Sequence, residues 1–369
     1  MTTDEERYFI AFSVFPGIGP VRFGLLLSYF GSAAAAWHAS EQELTSIHLS
    51  SALVTSFCSF RKRFSIDAYL KQLALCHVIP LTRDHPRYPK LLQEIPDAPF
   101  VLYVKGKSET PIDMEKTIAI VGTRRATSYG KDVTKTLVSD FVANGCTIVS
   151  GMAYGIDAVA HETAIACGGK TITVLGCGVD ICAPAQNRPI YDAVTTGGYG
   201  AAVSEMPLGL RPNKGLFPAR NRIISGLSRA VIVVEGDEHS GGLITASNAA
   251  MQGRDVFAVP GAITSPMSKG PAKLLRDGAQ IATSAGDVLS SLGLANPQRS
   301  DNNKNTRVVA GDKKEEQILA LLNKESLHID AIIEKAGLTA SAVTATITVL
   351  EMEGLVKDLG GNVYATHHR

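Results

Sequence analysis

Several signatures of common chemistry are missing from this chain. Its six cysteines form no Cys-x-x-Cys pair and no His/Cys cluster with zinc spacing, which leaves neither a zinc module nor a disulfide framework to build on. Cys177 and Cys182 bracket four residues between strand-like and loop-like sequence, and reduced thiols of a cytosolic protein fit them best. No apolar run reaches membrane-spanning length, and the start, Met1-Thr2-Thr3-Asp4-Glu5-Glu6, is acidic and polar rather than a signal peptide. The expectation is a cytoplasmic protein with no membrane insertion. Formal net charge is only +1, so an affinity for nucleic acid can come only from local clustering. No Gly-x-x-x-x-Gly-Lys-Ser/Thr occurs, which excludes a P-loop.

What is present is a chain of 369 residues, 45% of them apolar, enough for two or three domains. Its organising stretch is Thr117-Ile118-Ala119-Ile120-Val121-Gly122-Thr123-Arg124-Arg125. The apolar, largely β-branched residues suit a strand covered on both faces. Gly122 permits a sharp turn, and the helix predicted after it offers free N–H groups and a positive dipole end. Arg124 and Arg125 add full charge at that mouth, so the stretch reads as a phosphate-facing pocket.

From Thr117 to about Gly293, strands and helices alternate. Strands are predicted at Thr117–Gly122, Thr147–Gly151, Thr171–Gly176, Ala201–Glu205, Ala230–Glu235, Val256–Pro260 and Gln280–Thr283. Sequential βα units imply an α/β fold, a Rossmann-like doubly wound and mostly parallel sheet with ligands at the carboxyl ends of its strands. The apolar spacing of residues 7–75 predicts helices, in which Phe15-Pro16-Gly17-Ile18-Gly19-Pro20-Val21-Arg22 is a Gly-x-Gly hairpin. That hairpin either meets a nucleic-acid phosphate or simply turns between packed helices, with Phe15, Ile18 and Val21 as core. Residues 76–114 are Pro-rich and irregular up to the strand-like Phe100–Val104.

The polar run from Ala295 reads as a linker. Three helices follow, over Glu315–Leu322, Ile329–Ala336 and Ala340–Met352, and then a hairpin turning at Gly360-Gly361. That is a winged-helix pattern, but Ser341–Leu350, its recognition helix, carries no Lys or Arg, which favours packing or protein contact. The domains expected are a helical helix-hairpin-helix/SAM-like domain over 1–75, an extended Rossmann-like DNA-binding domain over 76–294, a linker over 295–312 and a winged helix over 313–369.

The predicted strand ends carry the chemistry. A dinucleotide site needs Gly-x-Gly-x-x-Gly in the first turn and an acid ending the second strand. Here Arg124 stands at the second glycine and the second strand ends in Ser150-Gly151. Both departures oppose a nicotinamide or flavin cofactor, and none is expected. Met206–Val234 holds Arg211, Lys214, Arg220, Arg222 and Arg229 and no acidic residue. Within it, Lys214-Gly215-Leu216-Phe217-Pro218-Ala219-Arg220-Asn221-Arg222 sets cations around an aromatic. That suits single-stranded nucleic acid, with phosphates neutralised and a base stacked, although Phe217 as core and Arg220 and Arg222 as braces fit the same residues. Ser240-Gly241-Gly242 opens another helix as an N-cap and anion nest, or as a cap only. Asp157 and His161, at i and i+4, could pair, but no nucleophile is marked beside them.

Together these motifs resemble the DNA-processing protein A family (DprA, also called Smf). The resemblance rests on Ile120–Arg124, Ser150–Asp157, Leu175–Gly178, Phe217–Ile224, Ser240–Ala246 and Val259–Gly261, in the expected order. It implies a non-enzymatic homodimer that binds incoming single-stranded DNA in natural transformation and loads the RecA recombinase onto it. Carried over by position, the pocket is Thr123, Arg124, Ser150, Gly151, Lys214, Phe217, Arg220, Asn221, Ser240 and Gly241, with no metal. Three departures stand out: Thr123 where the family usually has Ser, Ala183-Pro184 where it often has Tyr-Pro, and Gly270-Pro271-Ala272 where it has Gly-x-Asn. The alternative is the related nucleoside-monophosphate hydrolases, which carry a catalytic glutamate where this chain has Asn248. A neutral amide cannot serve as that base.

Overall fold

A β-branched run flanked by amphipathic helices buries both of its faces only inside a parallel sheet. The computed structural model describes residues 4–47, 49–106, 115–213, 215–294, 313–352 and 354–366, and these fall into two compact units, Met1–Ala295 and Asn296–Arg369. The first unit is built on a nine-stranded sheet: β1 Val78–Thr82, β2 Val101–Lys105, β3 Thr117–Val121, β4 Thr147–Ser150, β5 Thr171–Val174, β6 Gly200–Ser204, β7 Ala230–Val233, β8 Asp255–Ala258 and β9 Gln280–Ile281. Strands β3 to β9 lie where the sequence pattern predicts, within two residues at either end. The predicted strands mostly run too long, because their last residues leave the ladder to form loops.

The order is β1-β2-β6-β5-β4-β3-β7-β8-β9. From β6 to β9 every pairing is parallel, while β1 and β2 join antiparallel at the β6 edge. Strand β1 falls in sequence expected to be irregular. Its Pro80 cannot donate to a ladder, and the strand is tolerated because it is an outer edge. Two apolar cores cover the sheet. Helices Leu216–Gly226 and Gly241–Met251 bury Ile223, Ile224, Ala246 and Ala249 against Val121, Val149 and Val233 on one face. Helices Ser128–Ala143 and Ile156–Ala166 bury Leu137, Phe141 and Ala160 against Ile118, Ile120 and Ile148 on the other. The i, i+2 alternation within β3, with Ile118 and Ile120 on one side and Ala119 and Val121 on the other, is the pleat itself.

The N-terminal helices, from Asp4–Val14 to Ile66–Leu75, do not form a core of their own. Phe12 stacks on Phe57 at 5.2 Å, and Phe23 stacks on Phe100 at 4.1 Å, which ties them to the stretch entering β2. In the Gly-x-Gly hairpin, Phe15 and Ile18 are buried as expected, but Val21 is 71% exposed. Pro20 starts the second helix, and Val21 then falls on its outer side. The second unit holds helices Lys313–Leu322, Ile329–Ala336 and Ala340–Met352 with strands β10 Leu327–His328, β11 Val356–Asp358 and β12 Val363–Thr366. They are paired β10-β12-β11 around Ile318, Ile332, Val343 and Ile347 as a winged helix. The linker expected over 295–312 lies outside the described residues.

Candidate nucleic-acid interface

Strand β3 is the first parallel strand in sequence and sits mid-sheet. The chain adds β4, β5 and β6 on one side of it and returns to add β7, β8 and β9 on the other. The helix after β3 packs on one face and the helix after β7 on the opposite face. Between them, at the carboxyl ends of β3 and β7, a crevice must open. A cavity of about 520 Å³ lies there, lined by Gly122, Thr123, Arg124, Phe217, Asn221 and Gly241 among others.

Each loop at this edge is fixed by side chains. Thr123 N donates to Glu235 O at 2.7 Å. The buried Glu235 carboxylate accepts from Thr127 N at 3.0 Å and Thr127 Oγ1 at 2.6 Å, and Thr127 itself caps the helix that starts at Ser128. The loop after β4 is held more completely. Asp157 Oδ2 accepts from Gly151 N at 3.1 Å and Ala153 N at 3.3 Å. His161 Nε2 accepts from Met152 N at 3.3 Å. Asn187 Nδ2 donates to Met152 O at 2.9 Å and Ala153 O at 3.2 Å. Arg220 Nη1 donates to Gly151 O at 2.5 Å and also to Val174 O, so one guanidinium ties the ends of β4 and β5. Both the N–H and the C=O of residues 151, 152 and 153 are thereby engaged by Asp157, His161, Asn187 and Arg220.

Burial sets the charge states beneath the site. Desolvation pushes the Asp157 carboxyl up from its ordinary value, opposed by the Arg220 guanidinium. Desolvation lowers Arg220, opposed by Asp157. His161 is pushed down to about 3 by burial and by Arg220, so the ring is neutral. Its Nε2 accepts from Met152, so the proton sits on Nδ1, 2.6 Å from Thr171 Oγ1, which in turn donates to Ile148 O at 3.0 Å. The Asp157–His161 pair suggested by the i, i+4 spacing is replaced by these separate bonds to the loop.

The ten residues expected at the interface sort by exposure. Arg124 is exposed and Phe217 half-buried. The Arg124 guanidinium lies 5.4 Å from the Phe217 ring centroid, a cation–π pair at the cavity mouth. Thr123 is nearly buried, with Oγ1 accepting from Arg125 N at 3.1 Å. Ser240 occupies the N-cap position of the helix from Gly241, but its hydroxyl makes no capping bond. The first-turn N–H groups of Gly241 and Gly242 have no intrahelical acceptor. Three of the expected residues are buried, with polar groups bonded within the protein. Ser150 is fully buried and donates to Ile120 O at 2.6 Å. Arg220 is 5% exposed and committed to backbone carbonyls. Asn221, 8% exposed, donates to Gly241 O at 3.3 Å. Gly151 is where the guanidinium passes, for a Cβ there would stand 2.2 Å from Arg220 Nη1. Lys214 lies outside the described residues.

Two further members of the basic run are also assigned. Arg222 pairs with Glu205 at 2.5 Å and Asp97 at 3.0 Å, and Arg229 precedes β7 at the opposite end of the sheet. Arg125, read at this mouth from the sequence, is exposed and lines the cavity, as do Asp237 and His239, which were not among the expected contacts. The position of these two just past β7 was the available signal. Among the described residues no group of three His, Cys, Asp or Glu could hold a metal, and no helix is long and apolar enough to cross a membrane.

Comparison with known proteins bears on the same residues. The family model described as DNA recombination-mediator protein A matches residues 80–293, and that of the DprA winged helix domain matches residues 303–362. Protein Smf of Synechocystis is 33% identical over 399 aligned positions, covering 99% of each chain. The DNA processing protein DprA of Bacillus subtilis is 43% identical over 215 positions, 58% of this chain and 71% of that one. The solved DprA of Streptococcus pneumoniae superposes with a TM-score of 0.66 at 34% identity, over 78% of this chain and 97% of that one. The DprA of Helicobacter pylori, described for its single-stranded DNA binding mode, superposes with a TM-score of 0.52 at 32% identity, over 58% and 95%.

Proposed function

The chain belongs to the DprA/Smf family of DNA-processing proteins, and from that premise we propose that it binds single-stranded DNA along the carboxyl edge of its parallel sheet. The observation that carries the proposal is the exposed Arg124 guanidinium held against Phe217 at the mouth of the switch-point cavity. A cation beside a half-exposed ring matches one nucleotide of an unpaired strand, the charge meeting its phosphate and the ring its base. The uncapped N–H groups at Gly241 and Gly242 add donors for a second phosphate. A phosphate charge and a stacking face are common to every nucleotide, so binding is independent of sequence. The family further supports a cytoplasmic homodimer that protects incoming DNA in natural transformation and loads the RecA recombinase onto it. No catalytic role is assigned to the site, where Asn248 replaces the glutamate of the hydrolase relatives.

Fluorescence anisotropy with labelled oligonucleotides over a salt series tests this. Arg124→Ala weakens binding and lowers the salt slope by about 0.7, one single-strand phosphate. Phe217→Ala weakens it by about 1–3 kcal/mol with the slope unchanged, because stacking releases no counterions. Equal affinity of both variants and wild type removes the site. Release of free base from nucleoside monophosphates would replace the proposal with hydrolysis.

A further inference from the structure

Resting on that reading, we propose that Tyr154 is a second base-stacking platform, onto which the bound strand continues after Phe217. Phe217 lies over Gly176, just past β5, where a Cβ would come within 3.4 Å of its ring. Tyr154 follows β4, the neighbouring strand, and Arg124 follows β3, the next. The three groups therefore follow the carboxyl ends of three adjacent strands, which lie roughly 5 Å from one another in the ladder direction. Tyr154 is 43% exposed, yet its hydroxyl is anchored, donating to Gln186 Oε1 at 2.5 Å. An exposed ring fixed in this way loses little freedom when a base settles on it.

The backbone beneath points the same way. Met152 is held at φ 55°, left-handed for a residue with a side chain, and Gly155 at φ 75° packs against Thr123 O and the Arg124 backbone. A left-handed residue with a side chain, as Met152 is, persists only where its surroundings over-determine it, and such residues gather at functional sites. Here four side chains engage every backbone polar group of residues 151–153. Those four side chains are buried, and the group the loop delivers to the surface is Tyr154. The two rings also come from opposite faces. Phe217 belongs to the helix of the Val121 face. Gln186 instead leads into the helix Arg188–Thr195, whose Ile190 and Tyr191 pack with Met152 and Leu175. A strand on both rings crosses the sheet edge from one face to the other.

The test is anisotropy on the full chain, with Tyr154→Ala, Tyr154→Phe and Tyr154→Trp beside wild type and Phe217→Ala. Tyr154→Ala weakens single-stranded DNA binding about 5-fold or more at an unchanged salt slope. A merely structural loss would disturb the adjoining Arg124 and lower the slope as well. Tyr154→Phe keeps the ring and most of the affinity. Tyr154→Trp adds one reporter to a chain whose single native tryptophan, Trp37, is buried, and its emission is quenched by oligonucleotide. Wild-type affinity for Tyr154→Ala, or an unquenched Tyr154→Trp, overturns the inference while leaving the site standing if Phe217→Ala is weakened. Failure of wild type to bind single-stranded DNA removes both.

Discussion

Acid should weaken this fold through one buried ring. His161 is fully buried and pushed down to about 3 from an ordinary 6.5. Protonating it in the folded state would abolish the acceptor for Met152 N and place a second cation beside Arg220. Between about pH 3 and 6.5 the unfolded chain therefore binds a proton that the native chain refuses. Stability falls as pH drops through 6.5, and above it this group contributes no slope. From about pH 7.5 to about pH 5 the loss from His161 alone is about 2 kcal/mol, a figure that holds for any folded value below about 4. Asp157 acts with the opposite sign, because its raised folded value makes stability fall as pH climbs past 3.8, so wild type alone does not isolate the histidine. The difference between wild type and His161→Gln does, since a glutamine oxygen can still accept from Met152 without titrating. Urea unfolding of both at the two pH values should show the variant losing about 2 kcal/mol less. Parallel curves would refute the neutral, accepting ring and the account of the loop built on it.

Arg220→Ala leaves Gly151 O and Val174 O without their donor and Asp157 without its counter-charge. It should lower unfolding free energy by about 3–5 kcal/mol, measured in urea, whereas Arg124→Ala should change stability by less than about 0.5 kcal/mol. Equal stability losses would mean that the two arginines were assigned the wrong way round. Gly151→Ala sets a methyl 2.2 Å from Arg220 Nη1. It should destabilise by about 1–3 kcal/mol and weaken oligonucleotide binding, and a neutral substitution would show that the guanidinium does not pass there.

The parallel sheet was legible because its signal is local. Ile118, Ile120 and Val121 are apolar on both faces of a strand, and most such runs are closed by glycine or a helix start. The edge strand β1 was not legible, since Pro80 reads as a break until its position at the rim is known. Val21 was misplaced because a hairpin fixes which way the next helix turns only when it packs. Arg124 was expected from its place after a strand and Phe217 from the basic run around it, whereas the role proposed for Tyr154 had no signal, because one exposed tyrosine carries no pattern.

By itself the sequence determined the alternation of strands and helices and the winged helix of the C-terminal unit, all set by periodicity and turn chemistry over a few residues. It could not tell one arginine of the basic run from another. Arg124 and Arg220 look alike as letters, and tertiary structure separated them. The chain folds one beneath the sheet edge, where a desolvated guanidinium must find carbonyls and a carboxylate, and leaves the other in water, free to meet a phosphate.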